Sequence, residues 1–385
     1  MEKSMLFEQY LQELQAGKRR FENAFQGVTR MILEKPINKV NVNGKSTYDF
    51  EIFREGKKPI VGMYDELNSF VAYVKDAAQG GTSAEMAFVL VGEPGNGKTY
   101  LIETICSLYR DFLAREDNRK FTFRFNNLNK LSTYGNIKSA QSQTFEDPAI
   151  LAMNLFVKKE DNIKFLIDNG FTDEQIEEMY KSYRPLGACS EYILNEIRTL
   201  CEGDVEKIKE FIEIIPVPLS DTLGIITGKY SAKDKITSSA VDLLGEESVQ
   251  RLLHITDPNN PYRFDLRRGA LARVAGGGIH FSDEMFKNKK DLIQVYLGVI
   301  QNRVIEIDGF KWPIDTLILA TSNTAEFYRF KSDAEEAPIV DRCRICYVSH
   351  NTNYKLQKKL TNYAIGFGEK STFAKEELHQ DPNLN

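Results

Sequence analysis

The sequence predicts an α/β fold built on a parallel sheet, and three stretches carry that prediction. Ala87 to Val91 is a short apolar run of the kind buried on both faces of a sheet, and it runs into a glycine loop and then a helical pattern. Gly276 to Asp283 is a second such run, ending in two acids, Asp283 and Glu284. Thr316 to Ser322 is a third, ending in polar residues and Asn323. Strands that all present their chemistry at the C-terminal end belong side by side and parallel, because open α/β sheets bind ligands there.

The glycine loop decides the ligand. Gly92-Glu93-Pro94-Gly95-Asn96-Gly97-Lys98-Thr99 fits G-x-x-x-x-G-K-[ST], and the order strand, loop, helix is the context this motif requires. Three glycines let backbone N–H groups turn toward phosphate oxygens at a helix N-terminus, which already favours anions. The nucleotide-binding set is therefore Gly92, Glu93, Pro94, Gly95, Asn96, Gly97, Lys98, Thr99 and Tyr100, with Lys98 facing the terminal phosphates. The Thr99 hydroxyl and the Asp283 carboxylate are the expected Mg²⁺ ligands, Asp283 acting through water. Glu284 is placed to polarise an attacking water, and the Asn323 amide to orient that water against the γ-phosphate. The expected cofactors are ATP and Mg²⁺.

Composition bounds the rest. The chain has 385 residues, 42% hydrophobic and 27% charged, which is ordinary for a globular protein and too long for one small core. A net charge of −5 gives no reason to expect nucleic acid as a partner. Five scattered cysteines argue for a reducing compartment rather than a disulfide framework. No stretch approaches the about 20 apolar residues of a membrane span, and the charged N-terminus lacks a secretory h-region. The expectation is a cytoplasmic protein with no membrane partner.

Taken in order, residues 1–34 read as an amphipathic helical arm through Leu6, Tyr10, Leu11, Leu14, Phe21, Phe25, Val28 and Ile32. Such an arm docks on its own domain or holds a neighbouring subunit. Val40 to Phe53 reads as a hairpin about Asn43-Gly44, and Gly62-Met63-Tyr64-Asp65-Glu66 opens a helix with Leu67, Phe70, Val71 and Val74 on one face. Phe121 to Phe125 alternates strictly and reads as the second strand of the parallel sheet. Helical patterns dominate 139–269: Pro148 to Asp168, Thr172 to Ser182 with Thr172 as N-cap, Ser190 to Leu200, and Asp204 to Ile214. Ile225 to Leu253 is polar and turn-rich. Val304 to Trp312 reads as a hairpin with an Asp308-Gly309 turn. Ile339 to Val348 closes the sheet. Its Cys343 and Cys346 form a lone C-x-x-C, read as structural, and His280 reads as a packed core histidine.

This order of signatures resembles the AAA+ ATPases: phosphate loop, Gly-Gly-Ile-x-Phe-x-Asp-Glu strand, hairpin, Ala-Thr-Ser-Asn strand, then Asp341-Arg342. More narrowly, the chain resembles the AAA part of the PrkA-type serine protein kinase family. The residues that carry this are Gly62-Met63-Tyr64-Asp65-Glu66, Phe145-Glu146-Asp147-Pro148 and Arg267-Arg268-Gly269. The long separation of Lys98 from Asp283 also suits that family.

The resemblance implies an αβα sandwich with strand order 5-1-4-3-2, a mainly helical insertion at 139–269 and an N-terminal arm with a hairpin over 1–60. The ATPase domain itself would span 61–350. It implies catalytic roles for Glu284 and Asn323. It also implies that Arg342 is an arginine finger acting in trans in a homo-oligomer, with Arg344 a weaker candidate. The helical lid that follows the fifth strand in that family has little room before Asn385, so 351–385 reads as a truncated lid or tail. Three functions stay open: an ATPase coupled to oligomer rearrangement, a serine/threonine kinase acting on a protein substrate from the same site, and a nucleotide-dependent scaffold. Conventional kinase signatures (His-Arg-Asp, Asp-Phe-Gly, Val-Ala-Ile-Lys) are absent, so the kinase alternative stands on the resemblance.

Overall fold

The computed structural model describes residues 4–350 apart from 43, 56–58, 132, 221–223, 226, 232–239, 256, 267–268, 289 and 334–335, together with 357–358 and 360–361. Residues 267–268 and nearly all of the 351–385 tail lie outside the described residues.

A five-stranded parallel sheet forms the centre. Its strands are β1 (Ala87–Val91), β2 (Thr227–Ser231), β3 (Gly276–Asp283), β4 (Asp315–Ser322) and β5 (Cys343–Tyr347). They lie in the order 5-1-4-3-2. Every residue of β1 is buried, as a central strand covered on both faces requires. Ala87, Val89 and Val91 face one core, and Phe88 and Leu90 face the other.

Helices α1 (Phe7–Gln15), α2 (Ala24–Leu33), α3 (Tyr64–Ala78) and α4 (Lys98–Leu113) precede β2. The apolar faces of α2, α3 and α4 fill the core with Phe88, Leu90 and Phe281. The helix Lys290–Asn302 and α5 (Thr324–Ser332) serve the core on the opposite face of the sheet. Three layers result.

The second strand is not the expected one. Phe121–Phe125 is a strand, but it pairs antiparallel with Ile212–Pro216 and Ala140–Gln141. Met5–Leu6 completes that separate four-stranded sheet. Thr227–Ser231 takes the place beside β3. It is an edge strand with a single neighbour, so only Gly228 and Tyr230 are buried, and its composition reads as a turn. The expected helix over 204–214 likewise stops at Lys209, because Ile212, Ile214 and Ile215 favour the extended pairing with Phe121–Phe125.

Two further helical readings are corrected: Pro148 to Asp168 is two helices, Pro148–Met153 and Lys159–Asp168, and the arm is α1 and α2 joined by a non-helical stretch, with Leu6 exposed in a strand rather than on the apolar face. Other local readings agree with the structure. Thr172 caps Asp173–Lys181 through a capping box with Gln175. Asp308 and Gly309 adopt φ of 50° and 80° in the turn joining Val304–Ile307 to Phe310–Pro313. The arm docks on its own chain: Tyr10 Oη donates to Asp147 Oδ1 at 2.7 Å, and Lys209 pairs with Glu8 at 2.6 Å.

The Phe145-Glu146-Asp147-Pro148 motif serves this docking. The buried Glu146 carboxylate accepts from Ser142 Oγ, Ser190 Oγ and Gly187 N, while Asp147 caps the helix Pro148–Met153. Phe145 lies against Gly276, where β3 begins, so the motif sits at the N-terminal pole of the sheet.

Candidate nucleotide site

The phosphate loop leaves β1 at the C-terminal pole. Gly95 and Gly97 take φ of 85° and 82°, left-handed conformations that favour glycine. A Cβ on Gly92 would come within 2.4 Å of the Val348 carbonyl oxygen, so close approach excludes any side chain there. Asn96 Nδ2 donates to that same carbonyl at 2.8 Å, tying the loop to the end of β5.

Lys98 opens α4, and its Nζ donates to the carbonyls of Gly92 (2.7 Å) and Glu93 (2.8 Å). Burial lowers its pKa from the usual lysine value, and the Glu93, Asp283 and Glu284 carboxylates act against that shift. The acid-tipped strand therefore reaches Lys98 electrostatically. The segment before α3 also abuts the loop: Tyr100 Oη donates to Pro59 O at 3.1 Å, and Met63 Sδ lies 3.7 Å from the Cβ position of Gly97. Arg54 holds that segment through the carbonyls of Ile60 and Gly62 and stacks over Tyr64.

At the tip of β3, Thr321 of β4 joins the two acids. Its hydroxyl donates to Asp283 Oδ1 at 2.7 Å and accepts from the Glu284 backbone N–H at 3.0 Å. Glu284 adopts φ of 53°, a left-handed conformation uncommon for a side-chain-bearing residue. Lys287 Nζ lies 2.5 Å from Glu284 Oε2 and 3.5 Å from Glu326 Oε1 on α5. Asn323 is the N-cap of α5, its Oδ1 accepting from Glu326 N at 2.8 Å. Its side-chain oxygen is committed to the cap, which leaves the amide nitrogen as its donor.

The structure thus gathers the loop, Lys98, Thr99, Asp283, Glu284 and Asn323 at one pole. Arg342 is not among them. It directly precedes β5, whose Cys343 pairs with Ala87 while Tyr347 pairs with Val91. At about 3.3 Å per residue, a five-residue strand separates Arg342 from its own phosphate loop. Arg344 lies within β5 and is exposed.

Cys343 and Cys346 point into opposite cores and cannot meet. Burial pushes their thiols up to about 12 and about 11. His280 is buried against Tyr296, its Nε2 lying 2.8 Å from the Tyr296 hydroxyl.

The donors fit a hard divalent cation. Thr99 and Asp283 carry the hard oxygen donors such an ion takes, and Mg²⁺ needs only one or two protein groups beside phosphate and water. Among the described residues no group of three or more His, Cys, Asp or Glu could hold a metal ion.

Sequence reasoning missed Thr321, Lys287 and the loop-facing segment 59–63. Thr321 lay inside the quoted Ala-Thr-Ser-Asn run, two positions before Asn323, where a polar residue at the end of a buried strand is the available signal.

Comparison with known proteins bears on this architecture. A family model described as the PrkA AAA domain matches residues 135–375, more than half of the 385-residue chain. The chain belongs to the PrkA AAA domain family. The phosphate loop lies ahead of the matched span, so the reading of residues 92–99 rests on motif and geometry. The PrkA AAA domain described here is also 25% identical over 316 residues to a protein named serine/threonine kinase YeaG in Escherichia coli K12. Proteins of the same name in the O6:H1 and O157:H7 strains match equally. The match covers 79% of this chain and 42% of each relative, so the chain spans less than half the length of the curated relatives it matches. A crystal structure of NtrX from Brucella abortus aligns with 78% of this chain and 59% of its own at 13% identity. Its TM-score of 0.26 carries no argument. Among the described residues no helix is long and apolar enough to cross a membrane.

Proposed function

We propose that this PrkA AAA domain binds ATP with Mg²⁺ at the C-terminal pole of its sheet and hydrolyses it. The observation that carries the reading is the Thr321 hydroxyl joining Asp283 to the Glu284 backbone, on a strand adjacent to the one that feeds the phosphate loop. Loop N–H groups and Lys98 would bind the phosphates, and Thr99 and Asp283 would hold Mg²⁺, which would supply neutralisation of phosphate charge. Glu284 accepts a proton from the attacking water as its oxygen bonds to the γ-phosphorus and the bond to the β-phosphate oxygen breaks. The Asn323 amide orients that water. The segment 59–63 beside the loop is positioned to line the base.

Arg342 stands at the pole away from its own nucleotide, which supports a finger given to a neighbouring copy in a homo-oligomer. Five buried cysteines, none in a disulfide, support a reducing, cytoplasmic setting.

The printed name of the curated relatives favours a second reading, transfer of the same phosphoryl group to a protein serine or threonine. Glu284 would then take the proton of the protein hydroxyl. One experiment separates the two: follow γ-labelled phosphate from ATP with wild type, Glu284→Gln and Lys98→Ala. Hydrolysis predicts free phosphate that Glu284→Gln abolishes while ATP stays bound. Label on protein that Lys98→Ala removes would favour the kinase. Unchanged phosphate release in Glu284→Gln overturns its role as base.

A further inference from the structure

Edge strand β2 brings a second cation to the metal acid. Lys229 sits level with Phe281 of β3, and its Nζ lies 3.4 Å from Glu103 Oε1 and 4.0 Å from Asp283 Oδ2. The ammonium also lies 5.0 Å from the centroid of the Phe281 ring. Glu103 follows Thr99 by four positions on α4, so both lie on one face of that helix, a turn apart. Lys229 therefore spans from the helix face that carries Thr99 to the carboxylate of Asp283.

We propose that Lys229 is a positioning residue that competes with the divalent cation for Asp283 and gives way to it by moving onto Glu103. The inference rests on the reading of Asp283 as a metal ligand. An ammonium and a divalent cation repel one another, so each weakens the other's hold on a shared carboxylate. Glu103 offers Lys229 a second partner 3.4 Å away, so releasing Asp283 does not leave the ammonium unpaired. The arrangement has two states, and metal selects between them through its differential affinity. The carboxylate pair around Lys229 thereby sets how much Mg²⁺ the site needs.

The test titrates Mg²⁺ into the full chain with a fluorescent ADP analogue, starting in EDTA. Lys229→Met should lower the Mg²⁺ concentration for half-maximal enhancement of binding by about two- to fivefold, the range for a partly exposed ion pair. Glu103→Gln should shift it the opposite way, because Lys229 then has Asp283 alone. Lys229→Arg, which keeps the charge, should stay near wild type. Thermal melting in EDTA checks that the variants are folded. If Lys229→Met does not fold, the sign of the Glu103→Gln shift decides. A Mg²⁺ requirement unchanged or raised in Lys229→Met, or lowered in Glu103→Gln, overturns the proposal and leaves the metal reading intact. Wild type that binds the analogue equally with and without Mg²⁺ overturns both.

Discussion

Thr321 and Asp283 are joined by a 2.7 Å hydrogen bond across adjacent parallel strands, and the same hydroxyl accepts from the backbone of Glu284. One buried side chain thus aims the Asp283 carboxylate and fixes the Glu284 backbone, the proposed metal acid and base. Thr321→Val keeps the shape and removes both bonds. Phosphate release should fall at least about tenfold, and stability by about 1–3 kcal/mol for the orphaned N–H. Metal-free ADP affinity should stay near wild type. Thr321→Ser should recover most of the rate; if it does not, the hydroxyl is not the operative group.

Lys287 holds one oxygen of Glu284, and Glu326 offers Lys287 a second acid. Hydrogen bonding to Glu284 raises the lysine pKa, so the pair is intact at neutral pH. The pair is partly exposed and hence modest in energy. Freeing the base in Lys287→Met should raise turnover by up to about fivefold. Salt should accelerate wild type and leave the variant flat, measured as phosphate release across ionic strength. A slower variant would make Lys287 a supporter of Glu284 rather than a restraint.

His280 sets an acid limit on the fold. Burial lowers its pKa from 6.5 to about 3, so the folded protein holds it neutral while the unfolded chain protonates it near 6.5. A depressed folded value means stability that is fully present above 6.5 and is lost as pH falls toward about 3. The loss is about 1.4 kcal/mol per pH unit in that window. His280→Phe should therefore have a flatter stability profile between pH 6.5 and 4, read from denaturant midpoints. Parallel profiles for the two proteins would contradict the assignment.

Arg342 precedes β5, at the pole opposite the phosphate loop of its own chain. Mixing Lys98→Ala, which keeps the finger, with Arg342→Ala, which keeps the loop, should restore phosphate release that neither variant gives alone. Restoration should grow with protein concentration, as assembly demands. Mixtures no more active than their parts would argue against a finger in trans.

Gly92 is excluded from carrying a side chain by the carbonyl of Val348, a backbone atom that cannot swing aside. Gly92→Ala should cost about 1–3 kcal/mol by overpacking. It should weaken ATP binding in the same variant, because the loop must move to relieve the clash. Thermal melting with and without ATP tests both.

What the sequence determined by itself is the part written in contiguous residues. The turn of the phosphate loop and the acid tip of Gly276–Asp283 each depend on spacings of a few residues, and backbone sterics and burial read such spacings the same way in any context. The parallel order 5-1-4-3-2 followed from a family resemblance carried by those same stretches. Tertiary structure alone decided which segment lies beside β3. Phe121–Phe125 and Thr227–Ser231 both alternate, but pairing is a long-range choice, and the more apolar of the two was claimed by Ile212–Pro216. It likewise decided that Thr321 would meet Asp283, that Lys287 would rest on Glu284 and that Lys229 would reach across to Glu103. Lys229 stands on an edge strand, where one neighbour suffices and a charged side chain is tolerated, so nothing in its local composition marks it.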